Sequence, residues 1–171
     1  MSDGSAKSLP PYRARIEPEW IDYNGHLRDA YYGLIVSYAI DDVMDALGLD
    51  AAYRTSTRCT LYTLEMHLHY LHEVRQSDAL EVTTSVLDAD AKRLHVGCRF
   101  TCERLPETLA TADLMLLHVQ QGDTPRSAPF PAATALLLGE LKLPAEAAAA
   151  WGPQSRKIEI KRRPAASHAA P

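Results

Sequence analysis

Several things are scarce in this 171-residue chain, and each absence narrows the field. No stretch approaches eighteen consecutive apolar residues, so no membrane span is expected. The first residues, MSDGSAKSLPP, hold no apolar h-region, so no secretory signal is expected. Three cysteines (Cys59, Cys98, Cys102) form no CxxC and no even-numbered framework. They are read as reduced thiols of a cytoplasmic protein, buried as small hydrophobes. Basic charge is also short. Residues 153–171 hold five basic groups (Arg156, Lys157, Lys161, Arg162, Arg163) and one acid (Glu159), leaving 13 basic and 21 acidic groups elsewhere, a balance of −8. An acidic body argues against nucleic acid as a partner, because affinity for the phosphate backbone comes mainly from basic side chains. What remains is 46 % hydrophobic and 23 % charged, the balance of one globular domain.

The pattern divides the chain into a flexible leader (1–10), a main domain (11–131), a helical extension (132–152) and a basic, solvated tail (153–171). A short extended segment, Tyr12 to Glu17, ends at Pro18. The loop WIDYNGHLRD follows, tightest at Asn24-Gly25. Asp29 to Leu47 reads as one long helix, about 28 Å. Asp29 suits its start and Gly48 its C′ position. Its first turns are apolar almost all round, so one end is enclosed. Four alternating runs follow: 59–71, 80–88, 93–104 and 108–119, with a turn expected at Leu105-Pro106-Glu107. In the first run Tyr62, Leu64, Met66, Leu68 and Tyr70 fall on one face. Glu65, His67 and His69 fall on the other. Helices are expected over 132–143 and 145–151. One helix cannot cover both faces of a five-stranded sheet, and a curved antiparallel sheet wrapped around it buries it best. That α+β architecture is the hot-dog fold. Its outer face needs solvent or a partner, so at least a dimer is expected.

The loop before the helix places Asp22, Asn24, His26 and Asp29 within eight residues, where free helix amides emerge. Such amides polarise a carbonyl oxygen, and a carboxylate beside them can attack that carbonyl or activate water. The plainer alternative makes Asp22 and Asn24 turn formers and Asp29 a cap. Glu65 in an apolar strand is costly unless paired. A Glu65–His67 pair either supports the site from the sheet or belongs to an outer-face contact. His67, His69 and His72 evoke a metal site, but His72 points away on a regular strand, and no metal is expected.

The string WIDYNGHLRDAYY (residues 20–32) resembles the entry loop of hot-dog acyl-CoA thioesterases of the 4-hydroxybenzoyl-CoA thioesterase type, which carry D-x-x-G before the helix. The resemblance puts the catalytic aspartate at Asp22, the turn glycine at Gly25 and the carbonyl-polarising amide at Asp29. Where many relatives have an earlier aspartate, this chain has Trp20. YTLEMHLHYLHEVR (62–75), DADAKRLH (88–95), DLMLLHV (113–119) and APFP (128–131) resemble the betainyl-CoA thioesterases associated with carnitine 3-dehydrogenase. This implies hydrolysis of betainyl-CoA to glycine betaine and CoA, without a cofactor, by a homodimer or a tetramer of dimers. Another short or aromatic acyl-CoA, or acyl-CoA binding without catalysis, are the alternatives. Asn24 and His26 are candidates for holding the water or the loop. Trp20, Tyr23, Tyr31, Tyr32, Tyr62 and Tyr70 offer aromatic rings that suit a quaternary ammonium, and of these Trp20, Tyr23, Tyr32 and Tyr62, with His67, are the candidates for lining the acyl site. Lys92, Arg93 and Arg75 are candidates for the phosphates of CoA.

Overall fold

A computed structural model describes residues 8–151. The basic tail and most of the leader lie outside the described residues. The leader enters at its end, where Leu9 is already buried in the core.

Strand β1 (Tyr12–Ala14) leads through a 3₁₀ turn, Pro18–Trp20, to the polar loop. Helix α1 follows (Asp29–Ala46), about 27 Å long. The N-cap is Arg28, one residue earlier than the sequence suggests, and Asp29 is the first helical residue. Its carboxylate accepts the adjoining N–H of Ala30 at 2.9 Å instead of capping the next turn. The helix ends where Gly48 takes φ +74°, letting Leu49 N–H return to the Met44 carbonyl at 2.8 Å. Helix α2 (Ala51–Thr57) has no apolar stripe to announce it. Asp50 nucleates it, accepting Tyr53 N–H at 2.8 Å.

Then come β2 (Cys59–Tyr70), β3 (Leu80–Ala89), β4 (Arg93–Cys102), β5 (Leu105–Gln120) and the short β6 (Arg126–Ser127). The sheet is antiparallel in the order β1-β3-β4-β5-β2, with β6 also on β5. The turn expected at 105–107 lies earlier. Cys102 pairs with Leu105, so Glu103-Arg104 is a two-residue hairpin turn and Pro106 falls within β5. Leu94, Val96, Cys98 and Phe100 face inward as the alternation anticipates, and all are buried in one core with Ile35, Val36, Ala39 and Val43 of α1. Each such aliphatic side chain contributes roughly 1.5–3 kcal/mol on burial. Cys98 packs as a hydrophobe, and burial pushes its thiol up to about 11.

The expected face of β2 is broken. A bulge between Thr63 and Glu65 shifts the register, so Tyr62 pairs with Leu117 while Met66 pairs with Leu114. Tyr62 is therefore out of phase with Met66, Leu68 and Tyr70. Strand β2 is also an edge: β5 lies on one side and, among the described residues, nothing on the other.

The extension packs into the same core. Helix α3 (Ala132–Leu141) buries Leu138 and Leu141 in the core, and Thr134 bonds the Leu47 carbonyl at 3.0 Å. Helix α4 (Ala145–Ala150) carries Trp151 over Gly97 on the outer face of the sheet, where Arg99 lies 5.8 Å from the indole.

Candidate active site

The polar loop is tied down before any ligand is considered. Asp22 N–H donates to the His26 carbonyl at 2.8 Å and Gly25 N–H to the Asp22 carbonyl at 3.1 Å, closing a turn in which Gly25 takes φ +82°. The Asp22 carboxylate turns back into this turn. Its Oδ1 accepts Asn24 N–H at 2.8 Å and His26 N–H at 3.1 Å. These bonds, the one from His26 foremost, with the charges of His26 and Arg28 behind them, hold the carboxyl below its ordinary 3.8. Asp22 is therefore an anion at neutral pH.

Outward from the turn, Leu27 N–H donates to the Val74 carbonyl at 2.8 Å and Arg28 N–H to the Trp20 carbonyl at 2.9 Å. The loop is thereby pinned between the 3₁₀ turn and the segment after β2. Asp29 N–H, the first of α1, has no acceptor among the described residues. A carbonyl oxygen reaching it would meet an unpaired donor at the positive end of a long helix.

Asp22, His26, Leu27, Arg28, Asp29, Tyr32, Tyr70, Leu71, His72 and Glu73 line one open cavity of about 390 Å³. It lies where α1 begins and β2 ends. The sequence did not single out Glu73 among its members. Glu73 meets His26 Nε2 at 2.9 Å. Asp78 and Arg104 fix the segment that carries Glu73. Arg104 forks onto both Asp78 oxygens at 2.7 Å and donates to the Glu73 carbonyl at 3.0 Å. The arginine hydrogen bonds, ahead of one from Arg75 N–H, hold the Asp78 carboxyl low.

The other candidates are placed elsewhere. Asn24 and Tyr23 are exposed at the loop tip, Tyr23 at 94 %, and neither lines the cavity. It is Asn24's backbone, not its side chain, that serves Asp22. Trp20 stacks on Tyr31, centroids 5.2 Å apart, away from the cavity. Glu65 and His67 do pair, at 2.7 Å. Their register partners, Met115 and Asp113, belong to the outer face, so the pair is on the far side of the sheet from Asp22. Tyr62, beyond the bulge, is likewise outside the cavity. Lys92 and Arg93 sit at the β3–β4 turn, where Arg93 is held by Asp90. The ten residues of β4 separate that turn from the hairpin beside the cavity, about 30 Å, so neither reaches it within one chain. Arg75 is well placed: it forms a backbone bridge with His26. Among the described residues no three His, Cys, Asp or Glu side chains gather as a metal site. No described helix is long and apolar enough to cross a membrane.

The description Thioesterase-like superfamily matches residues 16–138 of the chain. A betainyl-CoA thioesterase of Pseudomonas aeruginosa is 48 % identical over 122 residues, 71 % of this chain and 76 % of that protein. An L-carnitine dehydrogenase/betainyl-CoA thioesterase of Agrobacterium fabrum is 38 % identical over 63 % of this chain, which spans 22 % of that longer protein. Among solved structures, a Staphylococcus aureus protein in complex with CoA superposes with a TM-score of 0.79 at 29 % identity, covering 94 % of this chain and 100 % of that one.

Proposed function

The chain belongs to the thioesterase-like superfamily, and on that premise we propose that it is an acyl-CoA thioesterase that hydrolyses betainyl-CoA to glycine betaine and CoA. The observation that carries this reading is the meeting, in one cavity, of the Asp22 carboxylate with the start of α1 and its unpaired Asp29 amide. Similarity to the P. aeruginosa enzyme supplies the acyl group, and the names of the fused relatives support a place in carnitine breakdown.

The chemistry asks little of the protein. A thiol of pKa about 8.5 leaves without full protonation, so no strong acid is required. The Asp29 N–H donates to the carbonyl oxygen and stabilises the charge that develops there. Asp22 acts on the carbonyl carbon, either directly or by taking a proton from the attacking water. The carbon–sulfur bond breaks, the pair of electrons leaves with sulfur, and water supplies the oxygen of the new carboxylate. His26, held by Glu73, keeps the loop and the water in place. Arg75 faces the phosphates of CoA.

The same reading extends to assembly and place. The free edge of β2 runs twelve residues, and Leu64 within it and Leu71 just after it are more than half exposed. An edge of that length is a template for a second strand, which supports a homodimer. The cytoplasm, where acyl-CoA esters are made, fits the substrate.

The test is release of CoA thiol, followed with a thiol reagent, from betainyl-, acetyl-, butyryl-, benzoyl- and 4-hydroxybenzoyl-CoA. The expected result is a kcat/KM for betainyl-CoA above that for every other ester. Fastest turnover of an aromatic ester would move the enzyme to another substrate, and no thiol from any ester would remove the catalytic reading.

A further inference from the structure

Two tyrosines meet on the inner wall of the cavity. Tyr32 comes from the first turn of α1 and Tyr70 from the end of β2, their ring centroids 5.0 Å apart and their planes at 82°. They are not equivalent. Tyr32 is 4 % exposed and backed by Phe100, whereas Tyr70 is 52 % exposed. The open aromatic surface of this corner is therefore Tyr70's. Its hydroxyl donates to the Asp29 carbonyl at 3.3 Å, which ties the ring to the start of the helix. Nearby, the cavity carries three carboxylates (Asp22, Asp29, Glu73) against one guanidinium, Arg28, which is turned to the Ile21 carbonyl at 3.3 Å.

An excess of carboxylates beside an open ring gives nothing to a neutral acyl chain. A quaternary ammonium has no N–H to donate and is held instead by aromatic faces and by negative charge. In a betainyl ester one methylene separates nitrogen from the carbonyl carbon, so the two lie about 2.5 Å apart by ordinary bond geometry. A cation subsite must then adjoin the catalytic carboxylate, as Tyr70 does in sharing its cavity.

Resting on the thioesterase reading, we infer that Tyr70 is the specificity-determining residue, its ring face selecting acyl groups that carry a quaternary ammonium beside the carbonyl, with Asp29 supplying charge beside it.

The experiment compares betainyl-CoA with 3,3-dimethylbutyryl-CoA, the neutral isostere in which carbon replaces nitrogen. In the wild type, kcat/KM should favour the cationic ester by about 10-fold or more. Tyr70→Phe should keep most of that ratio. Tyr70→Leu should bring it near one, the loss falling on the cationic ester. Pentafluorophenylalanine at position 70, which keeps the size of the ring and reverses its quadrupole, should do the same. A wild-type ratio near one, or equal losses on both esters in the leucine and fluorinated variants, overturns the inference and leaves the thioesterase reading intact. Absence of thiol from both esters with wild-type enzyme removes the reading itself, and the inference with it.

Discussion

The imidazole of His26 stands 2.9 Å from the carboxylate of Glu73, joining the polar loop to the segment that follows β2. The pair spans 47 residues of sequence and spacing alone gives no hint of it. Backbone bonds run beside it, from Leu27 N–H to the Val74 carbonyl and across the His26–Arg75 bridge, so the side-chain contact orients a ring that is already close.

Glu73→Gln keeps the shape of the side chain and weakens its hold on the imidazole. The variant's kcat should fall by about 10- to 100-fold with KM less affected, because a misdirected ring misplaces the reacting groups without removing a substrate contact. Steady-state kinetics on betainyl-CoA measures the split. A rise in KM at constant kcat would make Glu73 a binding residue instead.

Asp78 and Arg104 should act on stability in a pH-dependent way. The Asp78 carboxyl is held below 3.8 in the folded protein, chiefly by the arginine hydrogen bonds. A depressed carboxyl stabilises the fold above its unfolded-state pKa, and that contribution is lost as pH falls through the folded value. Asp78→Asn should therefore lower Tm by about 5 °C at pH 7, with the gap to wild type closing below about pH 4. Calorimetry across that range checks the sign. A gap that widens in acid would contradict it.

Gly97 is required by what lies over it. A Cβ built there would clash with the Trp151 ring. Gly97→Ala should lift Trp151 off the sheet and break its contact with Arg99. In a Trp20→Phe background, where Trp151 is the one remaining tryptophan of the two, its fluorescence should shift to the red. Unchanged emission would mean that the indole does not rest there.

The parts of this molecule governed by local rules are legible in the sequence. The alternation of Leu94, Val96, Cys98 and Phe100 gives the core face of β4, and Asp22-x-x-Gly25 before an apolar helix gives the loop and its turn. What escapes depends on one-residue shifts or on contacts between distant segments. The bulge at Thr63–Glu65 carries Tyr62 out of phase with Tyr70, although simple alternation puts them together. Glu65 and His67 find each other on the outer face, the second of the two places the sequence leaves open, because that same shift decides what the strand shows to α1. Lys92 and Arg93 read as phosphate ligands by charge, but the length of β4 carries them to the other end of the sheet. Glu73 and the Arg104–Asp78 clamp bear no periodic signature. Asp50 did offer one for α2, a capping residue three before Tyr53, in a segment with no apolar stripe to draw notice.

Asp22 should titrate below 3.8, since backbone N–H groups hold its ionised form. Carboxyl-carbon NMR of aspartate-labelled protein, with the resonance assigned by its absence in Asp22→Asn, gives the midpoint. A midpoint above that value would mean that the turn does not hold the carboxylate as described.

The most direct measurement is the turnover of betainyl-CoA by Asp22→Asn, with circular dichroism to show that the fold persists. The amide keeps an oxygen for the bonds from Asn24 and His26 but can neither attack a carbonyl nor take a proton from water. Its kcat should fall by at least about 100-fold, the scale on which a positioned acid–base group contributes. Turnover at the wild-type rate by a folded Asp22→Asn would contradict it.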